Sequence, residues 1–439
     1  MWTIWGEADR HCDRVHRRSF LKVGALGSAG LLSAGGATLR AGESRRSTPR
    51  QALMIFLAGG PSHFETFDPK PQAPSDIRGP YNPIATSVPG TFFCETVPKL
   101  AAMAERFSII RSCCHDNPGH GGGERYVQTG YKSASLEFEA PHDYPALGAI
   151  VAKTRGAMHS GLPTYMHLPN GDDGGAAFLG PAFNAFSVYS TGKPVGLEVT
   201  TSLPLKRLES RCELRASLDR MQRVGEKRLQ MDALDDLERQ ALSMLSSTKA
   251  HEAFNLEKED AAVRDRYGRH NSGMMCLLAR RFLEAGAGIV TVRMGSWDHH
   301  GNAGGTIISG AQEHIPPLDQ ALSTLLVDLQ ERGMQDQVLV WVWGEFGRTP
   351  RINQFVGRDH WPQAMSVLVS GGGLKSGMVY GETNPRGEFP IDLTCSPADV
   401  IATIYRQLDI EPTTSHLNNA GRPIPILPDG RPLTDLIAV

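Results

Sequence analysis

The chain has 439 residues, 45 Lys and Arg against 47 Asp and Glu, and 40% hydrophobic residues. That is a globular composition, long enough for one large α/β domain or two ordinary ones. A net charge of −2 with no basic stripe excludes a nucleic-acid partner, and no second long apolar run marks a permanent membrane span.

The first element is an address. Arg17-Arg18-Ser19-Phe20-Leu21-Lys22 precedes a mildly apolar, Gly/Ala/Leu-rich run from Val23 to Leu39. Paired arginines in that setting read as a twin-arginine signal, residues 1–41, with Ala41 closing the cleavage region. A basic arm with a short apolar helix is the alternative, and it leaves Phe20 and Lys22 unexplained. The expected partner is the twin-arginine translocation machinery, and the expected location is periplasmic or extracellular. That route carries folded proteins, often with a cofactor already installed. Residues 42–50 are polar and read as a linker, and 51–439 as a single α/β domain.

Within the domain, Ala52–Ala58 is a continuous apolar run ending in Gly59-Gly60-Pro61, as a strand buried on both faces and then a sharp turn should be. Phe107–Ser112, Gly288–Val292, Val338–Trp343 and Ala364–Val369 repeat the pattern. Pro317–Arg332 spaces Leu318, Leu322, Leu325, Leu326 and Leu329 helically and stops at Gly333. Residues 205–284 read as a helical insertion covering one side of the sheet. Alternating strands and helices predict a mostly parallel sheet with helices on both faces, with sites at the carboxyl ends of strands. Cys12 falls in the leader. Cys94, Cys113, Cys114, Cys212, Cys276 and Cys395 form no CxxC pair, which removes zinc-ribbon, haem and iron–sulfur readings. Their pairing is not legible, and adjacent Cys113-Cys114 read as ordinary buried residues.

Four polar clusters follow predicted strands: Pro61–Asp68, with His63, Glu65 and Asp68; His115–Glu124, with His120; Trp297–Asn302, with Asp298, His299 and His300; and Gly344–Trp361, with Glu345, Arg348, Arg358, Asp359 and His360. Carboxylates beside imidazoles suit a divalent metal, Zn first, with Mn, Fe, Mg or Ca as alternatives. Such an ion would polarise an ester oxygen and activate water, while Arg348 or Arg358 could hold an oxyanion through a bidentate fork. One Asp-His pair alone is more often a capped turn; four clusters at one sheet edge favour a site. Glu345 follows so apolar a strand that an arginine or a metal must partner it. A Glu345–Arg348 pair stiffening the turn is the bland version. His120 before three glycines can be a ligand, a general base or part of an anion-binding loop.

The wording GGPSHFETFDPKP at Gly59–Pro71, WDHHGN at Trp297–Asn302, WGEFGRTP at Trp343–Pro350 and GRDHW at Gly357–Trp361 resembles the alkaline phosphatase/sulfatase superfamily. More closely, it resembles a secreted family, domain of unknown function 1501. The resemblance implies one metal held by Asp298, His299 or His300, and His360. It departs at a second metal: the first strand ends in Gly59-Gly60, and Phe346 stands where a ligand is expected. Glu345 can still ligate, and His63, Glu65 or Asp68 could substitute by chemistry. It departs also at the nucleophile, since GHGGGERYVQTG has no hydroxyl or thiol before Thr129 and no sulfatase modification motif surrounds Cys114. A directly attacking water with His120 as base would take that role. The leading expectation is an exported metal-dependent hydrolase of small-molecule or polysaccharide phosphate or sulfate esters. The rival is a non-catalytic binding or assembly component of an extracytoplasmic complex.

Overall fold

The run QALMIFL has no polar residue after Gln51, and in the computed structural model all seven residues are buried as β1 (Gln51–Leu57). The structure describes residues 51–132, 143–156, 161–169, 175–192, 237, 239–301 and 304–438. The expected signal and linker, Cys212 and residues 205–236 of the expected helical insertion lie outside them. The other strands of the main sheet are β2 (Ser108–Cys113), β3 (Tyr165–Leu168), β4 (Phe186–Ser187), β5 (Ile289–Met294), β6 (Val338–Trp343), β7 (Met365–Gly371) and β8 (Val379–Tyr380). Five helices matter here: α1 (His120–Thr129), α2 (Leu147–Arg155), α3 (Asn271–Ala285), α4 (Ile307–Glu331) and α5 (Pro397–Gln407).

The sheet runs β8-β2-β7-β6-β1-β5-β3-β4. Seven strands are parallel; β7 alone is antiparallel, to both β6 and β2. The reason lies in its connection. Residues 344–364 contain no helix to carry the chain back along the sheet. The strand after them must therefore return in the opposite direction.

Alternation along β1 divides the core. Leu53, Ile55 and Leu57 join Leu277, Phe282, Leu318, Leu322 and Leu325 of α3 and α4 on one face. Ala52, Met54 and Phe56 join Val127, Ile150, Ile401 and Tyr405 of α1, α2 and α5 on the other. Each such Leu, Ile or Phe contributes roughly 1.5–3 kcal/mol by leaving water, and the sheet is covered on both faces, as expected. The described part of the 205–284 segment is helical, with Thr248–Phe254, Ala261–Tyr267 and α3. No helix among the described residues is long and apolar enough to cross a membrane.

The helix expected at Pro317–Arg332 begins instead at Ile307. Thr306 caps it, accepting from Ser309 N–H in a reciprocal capping box, and Pro316-Pro317 lie inside it. A proline pair ordinarily marks a first turn because it lacks N–H donors; here the cap ahead of it and the buried Ile307, Ala311 and Ile315 extend the helix N-terminally.

Candidate metal centre

Four strand ends converge at one edge of the sheet. Beyond β5, Trp297 N–H donates to Ala58 O at the end of β1. This close pass depends on Gly59, whose φ is +111° and where a Cβ would lie 2.6 Å from Asp298 N. Beyond β6 the chain makes a short antiparallel ribbon that pairs Arg348 with His360. Beyond β2 it runs to His120, the first residue of α1.

These elements gather His120, Asp298, His300 and His360, each partly exposed, with donor atoms all within 4.8 Å of one another. Asp298 Oδ1 lies 2.8 Å from His300 Nε2, 3.1 Å from His360 Nε2 and 3.4 Å from His120 Nε2. The two nitrogens His300 Nε2 and His360 Nε2 are 2.9 Å apart.

The far side of each ring explains the near side. His120 Nδ1–H donates to Glu345 Oε1 at 2.7 Å, His300 Nδ1–H to Asp359 Oδ1 at 2.8 Å, and His360 Nδ1–H to Pro118 O at 2.7 Å. With each Nδ1 donating outward, all three Nε2 atoms face one point. Two lone pairs 2.9 Å apart repel unless a proton or a cation lies between them. Carboxylate or carbonyl anchoring of the outer nitrogen is how metal-binding imidazoles are oriented. An ion with four bonds of ~2.0–2.1 Å spaces its donors by about 3.3 Å, close to the separations seen here. The residues fit a divalent ion.

Charge is concentrated at the same place. Burial opposes it, but hydrogen bonds to Asp298 and Glu345 hold the His120 imidazolium up to about 9. Burial likewise opposes ionisation of Asp298, yet His120, His360 and Arg348 hold its carboxyl far below the usual range.

Several expected site residues stand elsewhere. Glu345 is buried; it accepts Gly59 N–H at 2.8 Å and orients His120, and it is not among the converging donors. Asp359 supports His300. His299 turns away, stacking on His314 at 5.3 Å against Gly310, where a Cβ would overlap its ring. Burial, His314 and Arg348 lower its pKa to about 4.

Neither arginine presents a free fork. Arg348 donates to the carbonyls of Gly59, Gly60, Trp297 and Arg358 and to Asp298 Oδ1 at 2.5 Å. Arg358 is buried against Glu65 at 2.8 Å, the carbonyls of Ile77, Thr349 and Pro350, and the face of Phe64. His63 donates Nε2–H to Gly387 O at 3.0 Å. Asp68 pairs with Lys70 at 3.0 Å and accepts from Thr383. Neither joins the four donors. Phe346, standing where a second ligand was implied, packs its ring on His360 at 4.3 Å and walls the site.

Two supports were not foreseen in the sequence. Pro118 acts through its carbonyl, which carries no residue signature. Asn353 Nδ2 donates to His300 O at 3.0 Å and Asp359 Oδ1 at 3.1 Å; an Asn six residues before an Asp-His pair was the available cue. Beside the donors lies an open cleft of about 530 Å³ lined by His300, Gly301, Asn353, Gln354, Phe355 and Asp359. Phe355 is an exposed part of its lining, and the next residue, Val356, is also exposed and holds a left-handed φ of 59°.

Residues 49–437 match the profile of a family described as Protein of unknown function (DUF1501). No curated protein sequence matches the chain. Among solved structures, it is similar to the alkaline phosphatase from the Antarctic bacterium TAB5 (12% identity, 83% of this chain and 99% of that one, TM-score 0.36). It is also similar to a 2-O GAG sulfatase (11% identity, 89% and 74%, TM-score 0.42) and to the lipoteichoic acid synthase LtaP from Listeria monocytogenes (10% identity, 83% and 73%, TM-score 0.35).

Proposed function

The chain belongs to the family described as Protein of unknown function (DUF1501), and we propose that this member is an exported, zinc-dependent hydrolase of phosphate or sulfate esters. The convergence of three outer-anchored imidazoles on Asp298 carries the reading. Three nitrogens and one carboxylate favour Zn over Ca, which takes six to eight oxygens, and over Mg, which demands an oxygen octahedron. A divalent ion held there supplies Lewis acidity to an ester oxygen and to water.

Asp298, His300 and His360 hold the ion in this reading. His120, aimed by Glu345, moves the proton of the attacking water. Because Arg348 and Arg358 are occupied by carbonyls and carboxylates, the positive end of α1, which opens at His120, takes over their expected part in meeting the oxyanion. The open cleft beside His300 receives the rest of a small-molecule or polysaccharide ester. Export rests on Arg17-Arg18 and the apolar run after them.

One observation favours a second reading, a non-catalytic binding component with a structural metal. Four donors, not three, converge, and a closed four-ligand shell is the habit of structural zinc. One experiment separates the two: metal content and turnover of aryl phosphate, phosphodiester and sulfate esters for wild type, His360→Ala and His120→Gln. The hydrolase reading expects stoichiometric zinc and turnover in wild type, and loss of both in His360→Ala. His120→Gln should keep the metal and lose ~10²-fold or more in rate. Zinc lost from His120→Gln, with no ester turned over by wild type, would establish the closed structural site instead.

A further inference from the structure

The end of β2 lies beside the chain that enters α5. Cys113 and Cys395 face each other in a parallel β-bridge. Cys395 N–H donates to Ser112 O at 3.0 Å, and Cys114 N–H donates to Cys395 O at 2.9 Å. Directly paired residues on neighbouring strands sit ~5 Å apart at Cα, inside the roughly 4.4–6.8 Å that a disulfide spans. Both side chains are buried free thiols. The neighbouring Cys395 thiol, together with burial, raises the Cys113 thiol well above its ordinary value.

We propose that Cys113 and Cys395 close into a disulfide when the protein meets a disulfide oxidant. One cysteine, as thiolate, attacks a sulfur of the oxidant; that S–S bond breaks and one small thiol leaves with a proton. The second cysteine then attacks the protein sulfur of the mixed disulfide and expels the other small thiol. Two protein thiols give up two electrons and two protons, and the oxidant takes both. Hydrolysis of an ester plays no part in this, and only its occurrence in the cell rests on the proposed export.

The bond matters for the metal centre because Cys113 stands at the root of a segment that serves it. Residues 114–119 lead straight from the bridge to His120, and Pro118 among them supplies the carbonyl that anchors His360. A Cys113–Cys395 bond would tie the root of that segment to the start of α5. It would close a loop of roughly 280 residues, near the upper end of what chain entropy gives a cross-link.

The test is a peptide map of the full chain under non-reducing conditions. Folded protein is incubated with oxidised glutathione, and a second sample is refolded from urea in its presence. The expected result is one linked peptide pair containing Cys113 and Cys395, a thiol count lower by two, and a Tm higher by roughly 5 °C that dithiothreitol reverses. Cys395→Ser should give neither link nor shift, while Cys114→Ser should give both. Alkylated, free Cys113 and Cys395 in both samples would overturn the proposal, as would a map that links Cys114 in place of Cys113. Whatever compartment holds the protein, the pairing stands or falls on this map.

Discussion

His120 carries a proton up to about 9 when no metal competes, held there, against burial, by Asp298 and Glu345. A cation displaces that proton, so loading zinc at pH ~7.5 should release about one proton from this ring, and affinity should fall as pH drops below about 9. Calorimetric titration in two buffers of different ionisation enthalpy measures the proton count. A value near zero would mean that His120 keeps its proton beside the ion. Of the converging donors, Asp298, His300 and His360 were legible because carboxylate and imidazole stand close together in WDHHGN and GRDHW. His299 was not separable from His300 in sequence; the space left by Gly310, filled by the His299 ring, decides between them. Arg348 and Arg358 misled for a related reason. An arginine after an apolar strand can serve an anion or serve carbonyls, and only burial distinguishes the two.

The turn after β1 holds two elements at contact distance through one backbone position. Gly59→Ala adds a Cβ at 2.6 Å from Asp298 N in a φ of +111°. The strand ends must part or the turn must distort, at a cost of at least ~3 kcal/mol. A lower urea midpoint together with reduced zinc content is expected; an unchanged midpoint with full metal would count against the close pass. A second junction ties α3 to α4. Buried Arg280 meets Glu259 at 2.6 Å, Glu284 at 2.7 Å and Asp328 at 2.9 Å, and Tyr267 and Arg332 also bond Asp328. Asp328→Ala should destabilise by roughly 1–3 kcal/mol, because it leaves the buried Tyr267 hydroxyl without its acceptor and removes one of three carboxylates beside Arg280, and thermal denaturation would register it. Five strands of the main sheet were readable from apolar runs; β3, β4 and β8, only two to four residues long, were too short to show such a run. The early start of α4 was not, because Pro316-Pro317 imitates a helix beginning and the true cap, Thr306-Ser309, lacks the acidic partner that usually advertises one. The direction of β7 was readable in principle: no helical pattern separates it from β6.

For the molecule as a whole, acid is the expected weakness. Burial pushes His63 down to about 4, against an ordinary 6.5, and His299 shares that direction and value. Between those limits the unfolded chain binds more protons than the native one. Stability is therefore full above about pH 6.5 and drains away as pH falls toward and through about 4, by up to ~3 kcal/mol per ring. Urea midpoints at pH ~7, ~6 and ~5 should fall in that order, and His63→Gln should flatten the trend; a flat wild-type profile would refute it. The antiparallel return of β7 also bears on how the centre can change. Because residues 344–364 leave and re-enter the sheet at the same edge, one uninterrupted stretch of gene encodes Glu345, Phe346, Arg348, Asn353, Asp359 and His360. One of the four donors, with several of the residues that support and wall them, is thus a cassette bounded by two rigid strands. Evolution, or a designer exchanging that stretch between relatives, can rewrite ligand, wall and cleft together while leaving the folding scaffold unedited.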